Sequence, residues 1–196
     1  MDIVNRYKWA HMVGIGGAGM AALARLLKAQ GMCVTGSDLA SSSTVSELAR
    51  EGFPIGKGHC ATQVGDSDLL IYSAAIPDSN VERLEAEARG IRCASRAEVL
   101  GELSRSRRTI AIAGTHGKTT TASMVTDILC RAGWDPDFLV GGEIGGRAHA
   151  AVGLGDWFVV EADEFARSFH QLDPEVALVT CVEAEHLDYY GGLTEV

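Results

Sequence analysis

Twice in this chain an apolar run ends in a glycine-rich turn and gives way to residues at helical spacing. The first instance is "HMVGIGGAGM", His11 to Met20, and the second is "IAIAGTHGKTTTASMV", Ile110 to Val125. A strand that turns on glycine straight into a helix returns to its own sheet as a parallel strand, so the pair predicts an α/β protein. The flanking sequence agrees. After the first turn, "MAALARLLKAQG" reads as a helix closed by Gly31, "CVTGSD" as a strand ending in Asp38, and "STVSELAREG" as a helix closed by Gly52. "DLLIYS" and "IRCAS" read as strands. "SNVERLEAEARG", with Ser79 as its N-cap, and "RAEVLGELSR" read as helices. The pattern then restarts. "RSRR", Arg105 to Arg108, is a basic hinge candidate. "TIAIAG", "DFLVGG", "DWFVVEAD" and "VALVTCV" are strand candidates, and "KTTTASMVTDILCRAG" is a helix closing at Gly133. The reading is a Rossmann-like parallel-sheet domain over residues 1–105 and part of a P-loop α/β domain over 106–196.

Composition narrows the ligands. The formal net charge is -9, the opposite of the basic footprint of a nucleic-acid binder. Any anion must therefore be held by local groups such as helix N-termini, a lysine or a metal. Five cysteines with no CxxC pair, and no secretory signal, predict reduced thiols in the cytoplasm. No apolar run is long enough to span a bilayer. The oligomeric state is not legible.

"GIGGAG", Gly14 to Gly19, matches G-x-G-x-x-G between a predicted strand and a predicted helix. Glycines let the backbone approach a diphosphate, and the helix start offers unpaired N–H groups to it. Gly16, Gly17, Ala18 and Gly19 form the candidate cradle. Asp38 ends the next strand, where a ribose-binding acid belongs. The motif alone is open between NAD, FAD and a nucleotide-sugar, and a turn that merely packs a helix on a sheet has the same form.

"GTHGKTT", Gly114 to Thr120, carries the Gly-Lys-Thr core of a Walker loop but has Ile112 where the strict motif has glycine. Gly114 supplies the bend instead. Backbone groups from Gly114, Thr115, His116 and Gly117 onward can cradle phosphate, and Lys118 can reach the β- and γ-phosphates of ATP. A hydroxyl of Thr119 or Thr120 can ligate Mg²⁺. Such a loop needs an acid at a neighbouring strand end. Glu161 follows the apolar run Trp157 to Val160 and fits, with Asp163 and Glu164 beyond it. His186, in "EAEHLDYY", is a further candidate metal ligand. His11, His59, His149 and His170 have no comparable context and carry no expected role.

In order, "HMVGIGGAGM" with "TGSD", "AIAGTHGKTTT", "VVEADE", "SFHQLDPEVALVT" and "EAEHLDYY" resemble the Mur ligase family of peptidoglycan synthesis, over nearly the whole chain. The resemblance implies a UDP-binding domain, a central ATPase domain and a C-terminal domain, with this chain corresponding to the first and the start of the second. It implies ATP-dependent joining of L-alanine to the carboxylate of UDP-N-acetylmuramate through an acyl phosphate, and with it a part in cell-wall biogenesis, cell shape and division. By resemblance, Lys118 and the 114–120 loop bind ATP, and Thr119 and Glu161 serve its Mg²⁺. His186 matches a histidine on a second Mg²⁺, His116 points towards the muramate sugar, and Ser73 stands near the UDP-substrate phosphates. Lys118, Glu161 and His186 are the expected catalytic set.

The chain departs from the family at Cys181, where Asn is usual, and at Glu185 and Ala166, where Asp is usual. The abrupt end in "GGLTEV" leads to the expectation that these residues alone do not complete the ligation. Alternatives are a ligase that recycles murein peptide and a truncated, non-catalytic UDP-sugar-binding module. A plain NAD dehydrogenase would leave the second loop unexplained.

Overall fold

The computed structural model describes residues 3–141, 149–163 and 165–183. The chain forms two compact units, Met1–Val99 and Leu100–Val196.

The first unit contains a short helix α1 (Ile3–Arg6) and then alternates strand and helix. The strands are β1 (Trp9–Val13), β2 (Cys33–Asp38), β3 (Ile55–Lys57), β4 (Leu69–Tyr72) and β5 (Arg92–Ser95). The helices are α2 (Ala18–Ala29), α3 (Ser43–Arg50) and α4 (Val81–Ala88), with a 3-10 turn over Ala61–Val64; helix α5 (Arg96–Arg105) begins in the first unit and ends in the second. The sheet order is β3-β2-β1-β4-β5, and every pair is parallel. Central β1 is buried from Ala10 to Val13, as a parallel strand covered on both faces must be. One side of the core gathers Val13, Val64, Leu70 and Ala86. Helix α2 contributes Met20, Leu23, Leu26 and Leu27, each at most 2% exposed. The strand order reverses beside β1, between β2 and β4. Ligands of open α/β sheets bind in the crevice at the carboxyl ends of such strands.

Glycines end the helices where the sequence predicts. Gly31 and Gly52 have φ of +93° and +81°, a region that favours glycine. The predicted N-cap of α4 needs correction. Asn80, not Ser79, caps it, its side-chain oxygen accepting from Glu82 N at 2.9 Å and Arg83 N at 3.3 Å. Asparagine and serine cap about equally well, so composition does not decide between neighbours; the Asn80 oxygen is the one that reaches the first free N–H groups, and the helix starts one residue later. β3 was not predicted, because its three residues carry one apolar side chain.

The second unit is built on β6 (Arg108–Ala113), α6 (Lys118–Arg131), β7 (Asp137–Leu139), β8 (Ala150–Ala151), β9 (Trp157–Glu161), a 3-10 stretch over Phe165–Gln171 and β10 (Val176–Val179). The order is β10-β6-β9-β7-β8, parallel except for the β7–β8 pair. Ile112, Ala122, Phe138, Val140 and Val159 form its core. Along β6 and β9 the register pairs Ala111 with Val160 and Ile112 with Glu161.

The expected hinge at "RSRR" is not a free linker. Arg105 Nη1 donates to Gln171 O at 3.1 Å, and Arg107 Nε donates to the buried Asp137 at 3.3 Å. Arg108 forms two hydrogen bonds with Glu175, at 2.8 and 2.5 Å, and lies 4.1 Å over the Trp157 ring. Each arginine is fastened within the second unit. Among the described residues, no helix is long and apolar enough to cross a membrane.

Candidate functional site

The first glycine turn is set against the end of β2. Gly14 N and Ile15 N both donate to Ser37 O, at 2.9 and 3.1 Å. Gly16 N donates to Asp38 Oδ2 at 2.8 Å, and Ala40 N donates to the other carboxylate oxygen at 2.9 Å. Asp38 thus shapes the turn and keeps further lone pairs available, since a carboxylate offers about four acceptor sites. A Cβ on Gly16 would lie 2.6 Å from Val45 Cγ2 and 2.8 Å from Asp38 Oδ2, so only glycine fits. Gly17 is the N-cap of α2, and Ala18 is its first residue. Ser73, just past β4, donates its N–H to Val13 O at 3.2 Å and packs against Gly14. The structure therefore brings Gly16, Gly17, Ala18, Gly19, Asp38 and Ser73 to one crevice. It adds a cation that sequence reasoning missed. The Arg96 guanidinium crowds Gly19, with Nη1 2.8 Å from where a Cβ would stand. A helix start with an arginine beside it has the donors and charge that an anion would need. The signal was a basic residue directly after a parallel strand.

The second glycine turn runs from β6 into α6. Gly114 has φ +125° and Gly117, the N-cap of α6, has φ +83°. The first turn of a helix has N–H groups without partners inside the helix, and these face the loop. Lys118 Nζ donates to Gly114 O at 2.6 Å and to Thr115 O at 3.4 Å, so its ammonium spans the loop. Thr119 Oγ1 donates to Glu161 Oε2 at 3.2 Å, and Gly141 N donates to Glu161 Oε1 at 2.5 Å. The hydroxyl and the strand-end carboxylate, 42 positions apart, thus meet beside the loop. Thr120, also in the first turn of α6, is exposed.

The residues after β10 clamp the same loop. Thr115 N donates to Cys181 O at 2.9 Å, and His116 N donates to Cys181 Sγ at 3.3 Å. Thr180 Oγ1 donates to His116 O at 2.5 Å. His116 Nε2 lies 3.6 Å from Glu183 Oε2, both side chains being well exposed. Ala113, Gly114, Phe169 and Val179 help line a mainly apolar cavity of about 190 Å³ beside the loop. Position 181 stood out in the sequence only as a departure, and no local pattern announces Thr180, whose partners lie 64 and 67 positions away. Glu164, Glu185 and His186 lie outside the described residues. Ala166 lies in the 3-10 stretch.

Comparison with known proteins adds an independent line. Residues 10–108 match the profile "Mur ligase family, catalytic domain", and residues 112–196 match "Mur ligase middle domain". The chain is 46% identical over 195 residues to the UDP-N-acetylmuramate–L-alanine ligase of Salinibacter ruber, covering 98% of this chain and 41% of that protein. It is 48% identical over 186 residues to the ligase of the same name from Symbiobacterium thermophilum, covering 93% and 38%. Among solved structures, it is similar to the UDP-N-acetylmuramate:L-alanyl-gamma-D-glutamyl-meso-diaminopimelate ligase of Neisseria meningitides. That match has a TM-score of 0.85 and 28% identity, and covers 93% of this chain and 63% of that one. The UDP-N-acetylmuramate-alanine ligase of Thermotoga maritima matches with a TM-score of 0.81 and 30% identity, covering 94% and 44%. The chain thus spans about two fifths of the length of the curated relatives it matches.

Proposed function

Because this chain belongs to the Mur ligase family, we propose that its two glycine turns are the UDP-sugar and ATP sites of a ligase that joins L-alanine to UDP-N-acetylmuramate in peptidoglycan synthesis. Residues 1–105 form the UDP-sugar-binding domain in this reading, and 106–196 contribute the front of the ATP-binding domain. Gly16, Gly17, Ala18 and Gly19 cradle the UDP diphosphate, with Asp38 and Ser73 beside them. Gly114 to Thr120 hold ATP.

A carboxylate is a poor electrophile because oxide is a poor leaving group. Transfer of the γ-phosphoryl group makes an acyl phosphate, from which phosphate leaves when the amine attacks. Two anions must approach for that transfer. Lys118, held at the loop by Gly114 O and Thr115 O, supplies a fixed positive charge where the phosphates meet. Thr119 and Glu161 present hard oxygen donors of the kind Mg²⁺ takes, with phosphate oxygens and water completing its shell. When bound there, Mg²⁺ supplies charge neutralisation of the phosphates. His186 is assigned to a second Mg²⁺, and His116 to the sugar of the UDP substrate, by family resemblance. The cytoplasm is the proposed location, where the five free thiols stay reduced.

The observation that carries this reading is the meeting of Thr119 with Glu161 at the foot of the Lys118 loop. Calorimetry of the chain against UDP-N-acetylmuramate and against ATP–Mg²⁺ tests the two sites separately. Absence of nucleotide binding at both would overturn the proposal. A murein peptide in place of L-alanine is the second reading, favoured by the structural likeness to the Neisseria ligase. The 46% identity to alanine-joining relatives supports L-alanine. Amine-dependent ADP release by the whole enzyme distinguishes them.

A further inference from the structure

A buried carboxylate lies behind the first glycine turn. Glu82, in the first turn of α4, has no solvent exposure. Its Oε2 accepts from Ser37 Oγ at 2.6 Å, and its Oε1 accepts from Cys60 N at 3.1 Å. His59 Nδ1 stands 3.3 Å, and His11 Nε2 3.6 Å, from the same Oε2. His11 and Ser37 are buried too, and His11 Nδ1 lies 2.9 Å from Thr35 Oγ1. The strand register explains the gathering. His11 pairs with Thr35 and Val13 with Ser37, which puts these residues on one face of the sheet. A charge taken out of water is costly unless it is paired and hydrogen-bonded. Burial pushes the Glu82 carboxyl up, but His11, the Ser37 hydroxyl and the Cys60 amide outweigh it, so it titrates below the ordinary glutamate range.

Ser37 links this network to the turn. Its carbonyl accepts both the Gly14 and the Ile15 N–H, and the next residue, Asp38, takes the Gly16 N–H. We propose that Glu82 is a positioning residue for the diphosphate turn, fixing the Ser37–Asp38 backbone against which the amides of Gly14, Ile15 and Gly16 are set. Glu82 touches no substrate and acts through Ser37. This rests on the reading that the turn binds a nucleotide-sugar.

Glu82→Gln keeps the shape but places an N–H₂ group opposite either the Cys60 amide or the Ser37 hydroxyl. Ser37→Ala removes the tether from the other side and is the milder change. Two readouts are needed on the 196-residue chain, both well below its melting temperature: calorimetric affinity for UDP-N-acetylmuramate, and hydrogen exchange of individual amides by NMR. Each single variant is expected to weaken affinity by about tenfold, the size of one charge-assisted hydrogen bond. The double variant should be no weaker than the worse single, because the two residues act through one contact. Exchange at Gly14 and Ile15 should speed up, while Leu26 and Leu27 inside α2 stay protected. A folded Glu82→Gln chain with affinity within twofold of the parent and unchanged exchange at Gly14 overturns the proposal. If Glu82→Gln does not fold, Ser37→Ala decides by the same criteria. If the parent chain binds no UDP-sugar, the functional reading fails, and the amide exchange still decides whether Glu82 sets the turn.

Discussion

Replacing Gly114 with alanine tests how tightly the segment after β10 grips the phosphate loop. At φ +125° an L side chain is strained, at a cost of about 1–3 kcal/mol. The new Cβ would also overlap Thr180 Oγ1 and stand 2.8 Å from Cys181 O and 3.0 Å from Cys181 N. Those atoms cannot simply retreat. Thr180 N is bonded to Ala113 O at 3.0 Å, and Cys181 O receives Thr115 N at 2.9 Å. Crowding in a packed site adds about 1–3 kcal/mol. The sum, about 2–6 kcal/mol, is a large share of the roughly 5–15 kcal/mol that holds a domain folded. Gly133 is the control. Its φ is +80°, and no atom lies within 4 Å of its added Cβ, so Gly133→Ala should cost only the backbone strain, about 1–2 kcal/mol. Urea unfolding followed by fluorescence suits the test, because Trp134 and Trp157 stack with ring centroids 5.7 Å apart inside the second unit. Gly114→Ala should lower the midpoint well beyond Gly133→Ala. Equal midpoints would refute the clamp described here.

Three further outcomes follow from the geometry. Glu161→Gln should leave the unfolding midpoint nearly unchanged but weaken Mg²⁺-dependent ATP binding by about tenfold or more, since it removes the charge beside Thr119; equal ATP affinity with and without Mg²⁺ in the parent would defeat this. Asn80→Ala should destabilise the first unit by about 1 kcal/mol through loss of the α4 cap, read as a shift in its urea midpoint. Glu82 titrates lower when folded than when unfolded, so its stabilisation is present above the ordinary glutamate value of about 4.3 and is lost as pH falls through the folded value. The stability gap between the parent and Glu82→Gln should therefore be widest near neutrality and close on acidification, and a gap that stays constant down to low pH would contradict the ionised assignment.

Much of this architecture could be read locally. Gly31, Gly52 and Gly133 closed their helices because positive φ is a property of single residues. Glu161 could be picked out because an acid directly after four apolar residues marks the end of a buried strand. What escaped was non-local. His11 looked like one polar residue in an apolar strand, and its partner Glu82 lies 71 positions later on a helix whose pattern shows only a charged surface. Thr180 and Cys181 follow a strand whose partner, β6, lies far back in the chain, Val176 pairing with Ile110. Arg96 escaped for another reason, since the order of elements does not tell how far its guanidinium reaches, and it reaches Gly19.

The pairing of Ile112 with Glu161 carries an evolutionary consequence. Side chains alternate across a strand, so parity decides which one meets Thr119. Insertion or deletion of a single codon within β9 would present Val160 or Ala162 there and turn the carboxylate to the opposite side of the sheet. Length changes in this stretch should therefore be purged among descendants that keep the activity, even where every amino acid around it drifts.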